Sequence, residues 1–553
     1  MQNSLQTFMQ IHRDDNVLVA LTDLKKGTAI SFGGSDLYLI TNVPAKHKFT
    51  IRDLQCGDAV YMYGVLVGLA TEVIPRGTAI TTGNIKHAAN GFRLGERHLS
   101  WQKPDVSAWI SRTFMGYIRD DGAVGTANYW LVVPLVFCEN RNVKVLSDAF
   151  LDQLGYSRPS AYVADVQQLI DFYRAGYTPE QILETAPIFT EQNHGRPRLF
   201  QNVDGIKFLT HELGCGGTRL DSDALCGLLA GYITHPNVAG ATVLSLGCQH
   251  AQADILKREI SKRDRNFNKP LVILEQQNEG TEKRLLKKAT VQTFVGLMQV
   301  NLTSRSPAPL SKLCIGLECG ASDGFSGISA NPALGYVSDI IVALGGSVIL
   351  AEFPELCGVE QNLSDRCINN EIAERFMNLM TIYNRKAEES GSGFHANPSP
   401  GNIRDGLITD AIKSAGAAKK GGISPVVDVL DYPGKVKEPG LNLLCTPGND
   451  VESTTAEVAA GANIVLFTTG LGTPTGNPVT PVIKLSTNTA TFRKMPDIID
   501  INCGTIIEGT ETIEQSAERI LEYIIQVASG DIQPKAVLLG QDDFIPWKRG
   551  VSL

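Results

Sequence analysis

The segment 316–332 combines side chains that can bind a ligand or move a proton with glycines that let the backbone approach one. Its members are Cys319, Ser322, Asp323, Ser326, Ser329 and Asn331, with Gly316, Gly320, Gly324 and Gly327. An apolar run before the segment predicts a buried strand, and ligands of open parallel sheets bind just beyond such strand ends. The segment therefore predicts a binding site. The alternative is a glycine-rich connection whose polar residues only cap the next helix.

Four predicted strands end on, or just before, a cysteine: Cys138, Cys215, Cys248 and Cys319. Thiolates suit iron or zinc, and three of them with one open position would suit an iron–sulfur centre that acts as a Lewis acid. His211 is a further candidate ligand close to Cys215. The spacings match no compact metal motif, and free cysteines are often small core residues. The spacing alone leaves both readings open.

Other polar residues could act on a substrate. His47 and Lys48 stand together at a predicted strand entrance, where such a pair could bind a carboxylate and move a proton, although a solvated turn has the same pattern. Later loops carry Asn402 and Thr469, whose amide and hydroxyl suit a polyhydroxylated acid or a phosphate. The sequence contains no P-loop, no H-E-x-x-H and no C-x-x-C motif.

The composition narrows the class of protein. A net charge of -8 and a pI near 5.7 argue against binding to nucleic acid or to an anionic membrane. No apolar stretch reaches the roughly 18 residues of a membrane span, and the first residues do not resemble a secretory signal. The 11 scattered cysteines do not form a disulfide framework, so we expect a cytoplasmic protein with reduced thiols.

The pattern of apolar and polar residues changes along the chain. Short apolar runs separated by glycine turns predict a small all-β domain over residues 1–92, followed by a polar linker over 93–112. Apolar strands then alternate with helical patterns, which predicts two α/β domains with mainly parallel sheets, over 113–306 and 307–553.

At the level of motifs the chain resembles the altronate/galactarate dehydratase family of sugar-acid hydro-lyases, nearly from end to end. The most specific motif is G-L-E-C-G-x-S-D-G-x-S-G-I-x-A-N-P at Gly316–Pro332. Shorter motifs occur in the same order as in the family: H-K-F at His47–Phe49, Y-G-x-x-x-G at Tyr63–Gly68, G-C at Gly214–Cys215, H-P-N at His235–Asn237, L-G-C at Leu246–Cys248, N-P-S-P-G-N at Asn397–Asn402 and F-x-T-G-x-G-T-P at Phe467–Pro474.

The resemblance implies an N-terminal SAF (β-clip) domain and an iron-stimulated dehydration of D-altronate to 2-dehydro-3-deoxy-D-gluconate. We expect His47 to act as acid or base and Lys48 to hold the substrate carboxylate. Asp323 is expected to be the third catalytic residue, beside His47 and Lys48. Substrate contacts are expected from Ser322, Ser326, Asn331, Asn402 and Thr469. The four cysteines are the expected ligands of Fe²⁺, as a single ion or an iron–sulfur centre, with Mn²⁺ as an alternative. We also expect a homo-oligomer, with a dimer favoured.

One departure from the family pattern matters. Some relatives carry an H-x-H-x-H run in the SAF domain, where this chain has Ala79-Ile-Thr-Thr-Gly83, and His87 could replace that run only in part. Two alternatives therefore stay open. One is a dehydratase of another sugar acid, such as galactarate, a related aldonate or a sulfonated hydroxy acid. The other is a sugar-acid binding protein without catalytic activity.

Overall fold

The computed structural model describes residues 6–89, 91–95, 99, 101–157, 161–185 and 196–550, with the backbone alone at 161–164 and 395. Within these ranges no helix has the length and apolar character needed to cross a bilayer.

The N-terminal domain is built entirely from short strands whose pairings are all antiparallel. Glycine turns between the apolar runs keep the strands short, as the sequence predicts. The sheets are β1-β2-β5, β3-β4 and β6-β7-β8. The strands are β1 (Phe8–Met9), β2 (Val17–Ala20), β3 (Ala29–Phe32), β4 (Ser35–Tyr38), β5 (Lys48–Thr50), β6 (Ala59–Met62), β7 (Val65–Ala70) and β8 (Ile85–Lys86).

The middle domain contains a four-stranded parallel sheet of order β12-β11-β13-β14 and a small antiparallel sheet of order β10-β9-β15. Strands β11 and β13 are buried along their whole length because helices cover both faces of the sheet. The elements are β9 (Thr113–Ile118), β10 (Val124–Gly125), β11 (Tyr129–Pro134), α1 (Asn140–Gln153), α2 (Ala161–Arg174), α3 (Pro179–Glu184), β12 (Gly205–Phe208), α4 (Arg219–Thr234), β13 (Val238–Ser245), α5 (Ala253–Arg263), β14 (Leu271–Glu275), α6 (Gln276–Glu279), α7 (Glu282–Val300) and β15 (Ser306–Pro309).

The C-terminal domain contains a seven-stranded parallel sheet of order β18-β19-β17-β16-β20-β21-β22. Its elements are β16 (Cys314–Gly320), α8 (Ala330–Ala343), β17 (Ser347–Leu350), α9 (Glu360–Asp365), α10 (Asn370–Glu389), α11 (Pro400–Arg404), α12 (Asp410–Ala417), β18 (Val426–Leu430), β19 (Gly440–Leu444), α13 (Asp450–Ala460), β20 (Ile464–Thr469), β21 (Val482–Ser486), α14 (Thr489–Lys494), β22 (Ile501–Asn502), α15 (Gly504–Ile507), α16 (Ile513–Ser529) and α17 (Lys535–Leu539). Short 3-10 helices span Phe137–Glu139, Leu310–Lys312, Phe353–Leu356, Phe394–Ala396 and Ala418–Gly421.

These sheets confirm the predicted fold class, an all-β domain followed by α/β domains with mainly parallel strands. Two details differ from the sequence reading. The apolar pattern at Tyr336–Leu344 predicts a helix there, and α8 begins earlier, at Ala330, so that Asn331 lies in its first turn. The segment 389–404 has the glycine, serine and proline content typical of a loop, but it contains the short helix α11, which begins at a capping box formed by Ser399. The predicted domain boundaries stay predictions.

The N-terminal and C-terminal domains share one apolar core. Val60, Met62 and Val67 of the first domain belong to the same buried cluster as Phe325 and Ile412 of the last. This shared core fixes the position of the N-terminal strands over the loops that follow β16 and α11. The small domain is therefore part of the framework of the candidate site described below.

Candidate active site

The carboxylate of Asp323 is the centre of the candidate site. It lies in the loop after β16 and has no exposed surface. The hydroxyl of Thr487 donates to its Oδ1 at 2.9 Å, and the amide of Asn488 donates to its Oδ2 at 3.2 Å. The hydroxyl of Ser326 donates to Oδ1 at 3.2 Å. Since Thr487 and Asn488 follow β21, the site lies at the carboxyl ends of the parallel strands, as the sequence predicts.

Lys46 joins the two domains at this carboxylate. Its Nζ lies 3.0 Å from Oδ2 of Asp323 and 2.9 Å from Oδ1 of Asp405, in the turn after α11. Burial disfavours the charged lysine, but the nearby Asp323 and Asp405 carboxylates outweigh burial and raise the pKa of Lys46. Lys46 is therefore an ammonium held between two carboxylates.

His47 and Lys48 bind the same turn of the C-terminal domain. Nε2 of His47 lies 3.1 Å from the carbonyl oxygen of Arg404, and Nζ of Lys48 donates to the carbonyl of Gly406 at 2.6 Å. Burial lowers the pKa of His47, so that its imidazole is readily neutral. Burial also lowers the pKa of Lys48 to about 7, against the opposing charge of Asp323. Nζ of Lys48 is buried against Gly406, and His47 is the more accessible of the two.

Gly470 packs directly against Asp323, and the contact leaves no room for a side chain at position 470. A Cβ added to Gly470, which follows β20, would lie 2.4 Å from Cγ of Asp323. Glycine at this position is what allows the carboxylate to lie against the strand end.

The other predicted substrate residues lie around the same loop, with different roles. Asn331 donates to the carbonyl of Gly416 at 3.0 Å and accepts from Thr468 at 2.8 Å. Asn402 donates to the carbonyl of Ser322 at 2.8 Å. Thr469 accepts the backbone N–H of Gly472 at 2.9 Å. In this structure these side chains hold the loops of the site in place.

Backbone strain is concentrated at the site. In the described part of the chain, the non-glycine residues with positive φ are Lys46, Tyr63, Ala321 and Glu352. Positive φ raises the conformational energy of a non-glycine residue, and such strained residues cluster at functional sites. Tyr63 also has a buried hydroxyl without a hydrogen-bond partner among the described residues. A Cβ added to Gly327 would lie 2.3 Å from this hydroxyl, which places Tyr63 beside the loop of Asp323.

Cys319 lies in a buried network of charged residues. Nζ of Lys420 is 2.9 Å from its Sγ, and Oε2 of Glu355 is 3.1 Å from the same atom. Lys420 also pairs with Glu352 at 2.7 Å, and Lys413 pairs with Glu355 at 2.6 Å. Burial, with the neighbouring glutamates, raises the pKa of the Cys319 thiol, although both lysines oppose this shift.

Potential metal ligands come together in three groups among the described residues, with the ligand atoms of each group within 4.8 Å of one another. The groups are Cys319, Glu352 and Glu355; Glu318, Glu352 and Asp450; and His87, Cys357 and Asp410. Of the four predicted cysteine ligands only Cys319 belongs to one of them. The structure therefore does not gather the four thiols around a single ion.

The other three cysteines lie together at one edge of the middle sheet. Cys138, Cys215 and Cys248 follow β11, β12 and β13, which are neighbours in the sheet, and their residues are exposed. Backbone bonds join their loops, from Phe137 N–H to the Leu213 carbonyl and from His250 N–H to the Gly214 carbonyl.

His211 orients this edge of the sheet. Its Nε2 lies 2.8 Å from the carbonyl oxygen of Pro134, and its Nδ1 accepts the N–H of Leu213 at 3.1 Å. Burial lowers the pKa of His211 to about 4, so the ring is neutral. With both ring nitrogens bound to backbone, His211 ties the loop of Cys215 to β11.

His87 has a partner in the C-terminal domain. Its Nδ1 lies 3.0 Å from Oδ1 of Asp410, and the hydrogen bond to that carboxylate raises the pKa of His87. The segment Ala79–Gly83 precedes His87 in the same domain and contains no histidine.

Sequence reasoning missed Lys46, Asp405, Thr487, Asn488, Lys413 and Lys420. Only Lys46 carried a signal, because it directly precedes the H-K-F motif at His47–Phe49. Lys413 and Lys420 resemble ordinary surface lysines in the sequence, and only the fold shows that they are buried.

Three family models match consecutive parts of the chain. They are the altronate/galactarate dehydratase SAF domain over residues 6–88, the second domain of D-galactarate dehydratase/altronate hydrolase over 116–301, and the C-terminal domain of D-galactarate/altronate dehydratase over 310–552.

Curated proteins are similar over nearly the whole length. Altronate dehydratase of Bacillus subtilis is 33% identical, with 96% of each chain covered. Altronate dehydratase of Escherichia coli is 32% identical, with 95% of each covered. Galactarate dehydratase (L-threo-forming) of Escherichia coli is 30% identical, over 95% of this chain and 93% of that protein.

Proposed function

Because the chain belongs to the altronate/galactarate dehydratase family, we propose that it is a hydro-lyase that converts D-altronate to 2-dehydro-3-deoxy-D-gluconate and water. The observation that carries this proposal is the convergence of Lys46, His47 and Lys48 on Asp323 and on the turn 404–406. The reaction removes the proton at C2 and the hydroxyl at C3, and the enol that forms becomes the 2-keto acid. The proton and the hydroxyl each need a group that accepts or donates a proton.

We assign the proton transfer to His47. Its Nε2 faces the carbonyl of Arg404, so the neutral ring donates there and presents Nδ1 as an acceptor. Lys48 was expected to hold the substrate carboxylate, but its Nζ is buried against Gly406. In our proposal Lys48 is a positioning residue that keeps the turn 404–406, and with it His47, in place. The unpartnered hydroxyl of Tyr63 is a candidate donor to the leaving hydroxyl.

The proposed metal is reduced iron, held by Cys138, Cys215 and Cys248. The fit rests on the donors: three exposed thiols on joined loops at one sheet edge. Their sulfur atoms do not form one of the close ligand groups, so in this arrangement the three thiols do not surround a single ion; the alternative is an iron–sulfur centre. Such a centre with an open position would act as a Lewis acid. Mn²⁺ prefers oxygen ligands to thiolates and fits this edge less well.

The substrate assignment can be tested with purified protein, handled without oxygen, and a panel of sugar acids. We expect formation of a 2-keto acid from D-altronate at a higher kcat/KM than from galactarate or other aldonates. Galactarate is the strongest competitor, since one relative with 30% identity is a galactarate dehydratase. Saturable binding of these acids without turnover of any would support a binding protein instead. A cytoplasmic location and a homo-oligomer, with a dimer favoured, stay predictions.

A further inference from the structure

Three carboxylates meet at the ends of three neighbouring strands, away from the thiols of the middle domain. Glu318 lies near the end of β16, Glu352 follows β17, and Asp450 follows the loop after β19. These strands are adjacent in the order β19-β17-β16. One carboxylate oxygen of each of the three residues lies within 4.8 Å of the other two.

The carboxylates of this group have unused acceptor atoms. Both side-chain oxygens of Glu318, and Oε1 of Glu352, are buried and receive no hydrogen bond from a donor group in the described part of the chain. The two carboxyl groups lie close enough to share a proton with each other. The other oxygen of Glu352, Oε2, accepts from Lys420, from the N–H of Cys319 and from the thiol of Cys319. A buried carboxylate oxygen without a partner is costly, so native structures pair it with a cation, a proton or a donor.

The surrounding charges do not balance these carboxylates. Glu355 and Glu457 add two more buried carboxyl groups, and the lysines that pair with glutamates of this network are Lys413 and Lys420. Burial and the neighbouring glutamates raise the pKa of Glu318, and those of Asp450 to about 7 and of Glu457 to about 8. More buried carboxyl groups than lysines therefore lie in this network, and a bound cation would compensate them.

We propose that Glu318, Oε1 of Glu352 and Asp450 form a binding site for a hard divalent cation, Mg²⁺ or Mn²⁺. Oxygen ligands of this kind suit these ions, whereas the thiols of the middle domain suit iron. Asp450 reaches the strand end because residue 320 is glycine; a Cβ there would lie 2.0 Å from its Oδ2. The same strand leads on to Asp323, so the cation would lie at the base of the loop that carries the candidate active site. This inference does not depend on the identity of the substrate.

The site can be tested on the full-length protein with Mn²⁺ as the probe. Electron paramagnetic resonance of free Mn²⁺ measures binding to the wild type and to the Glu318→Gln and Asp450→Asn variants. Glu452→Gln is the matched control, since Glu452 lies on the same helix as Asp450 but belongs to none of the ligand groups. We expect binding by the wild type and the control, and at least about tenfold weaker binding by both site variants, as loss of a metal-site interaction produces.

Infrared spectroscopy provides a second readout that does not depend on activity. In the wild type, Mn²⁺ should shift the stretching bands of the carboxyl groups that bind it, and this change should be absent in Asp450→Asn. Melting curves establish that each variant is folded. If Glu318→Gln does not fold, the comparison uses Asp450→Asn alone. The proposal is overturned if wild type and both variants bind Mn²⁺ equally, or if the wild type binds none and its carboxyl absorption is unchanged.

Discussion

The ammonium group of Lys46 lies 3.0 Å from the carboxylate of Asp323, and this ion pair joins the N-terminal domain to the C-terminal sheet. Asp323 has no exposed surface, so its charge depends on the partners that surround it. Removal of one member of a buried ion pair leaves the other charged and uncompensated.

We therefore expect Lys46→Met to lower the free energy of unfolding by about 3 kcal/mol and to reduce turnover strongly. Lys25→Met, at an exposed position of the same domain, should change stability by less than about 0.5 kcal/mol. Denaturant titration and a steady-state assay of both variants provide the comparison. Equal stability of the two variants would show that the pair is not needed to compensate Asp323.

His47→Gln should separate catalysis from stability. Loss of a general acid–base group lowers kcat by about 10²-fold or more. Among the described residues the ring makes one hydrogen bond, to the carbonyl of Arg404, and its loss costs about 1 kcal/mol. Circular dichroism melting and kcat measurement on the same preparation test both parts. A variant with normal kcat would remove His47 from the proton transfer.

Lys48 should make stability depend on pH. Its pKa is about 7 in the folded protein and close to the usual 10.5 in the unfolded chain. Between these values the unfolded chain binds more protons at this residue, so the free energy of unfolding rises with pH. Lys48→Met should flatten this rise, which denaturant titrations of both proteins across the interval would measure. Identical slopes would contradict a neutral Lys48 in the folded state.

The sequence predicted the sheets and the loop of Asp323 because these features depend on local patterns. Apolar runs alternating with helices indicate parallel strands, and a polar loop after a strand marks the ligand-binding edge. Convergence in space was not predictable in the same way. Cys319 lies near the end of a strand and Cys138 shortly after one, yet Cys319 belongs to another sheet and lies among glutamates and lysines.

The partners of Asp323 could not be predicted from the sequence either. Thr487 and Asn488 are more than a hundred residues away in the chain, and nothing in their local sequence points to a carboxylate. Their role follows from the order of strands in the sheet, which places the end of β21 close to the end of β16. A single sequence does not determine that order.

Substitutions of single cysteines should distinguish the proposed iron site of the middle domain from the buried network around Cys319. Cys215→Ser should lose iron and sulfide from protein purified without oxygen, because Cys215 is one of three proposed ligands. Cys319→Ser should keep both, since Cys319 lies with Lys420 and Glu355. Cys56→Ser, at an exposed position of the N-terminal domain, is the control. Loss of iron from Cys319→Ser to the same degree would favour the original set of four ligands.

The close contact between Gly470 and Asp323 leads to the last prediction. A methyl group at position 470 would lie 2.4 Å from Cγ and 2.8 Å from Oδ1 of Asp323, so the carboxylate must move. A shift of about 1 Å in a catalytic site can cost about 10²-fold in rate, and overpacking costs about 1–3 kcal/mol of stability. Gly470→Ala should therefore lower kcat by about that factor while the protein remains folded.

Gly83→Ala is the matched control for this substitution. A methyl group there would meet only Oγ1 of Thr81, at 3.6 Å, which is an ordinary contact. Its turnover and melting temperature should stay close to those of the wild type. If Gly470→Ala also kept normal kcat, the exact position of the Asp323 carboxylate would not matter for the reaction, and the assignment of the candidate active site to this loop would fail.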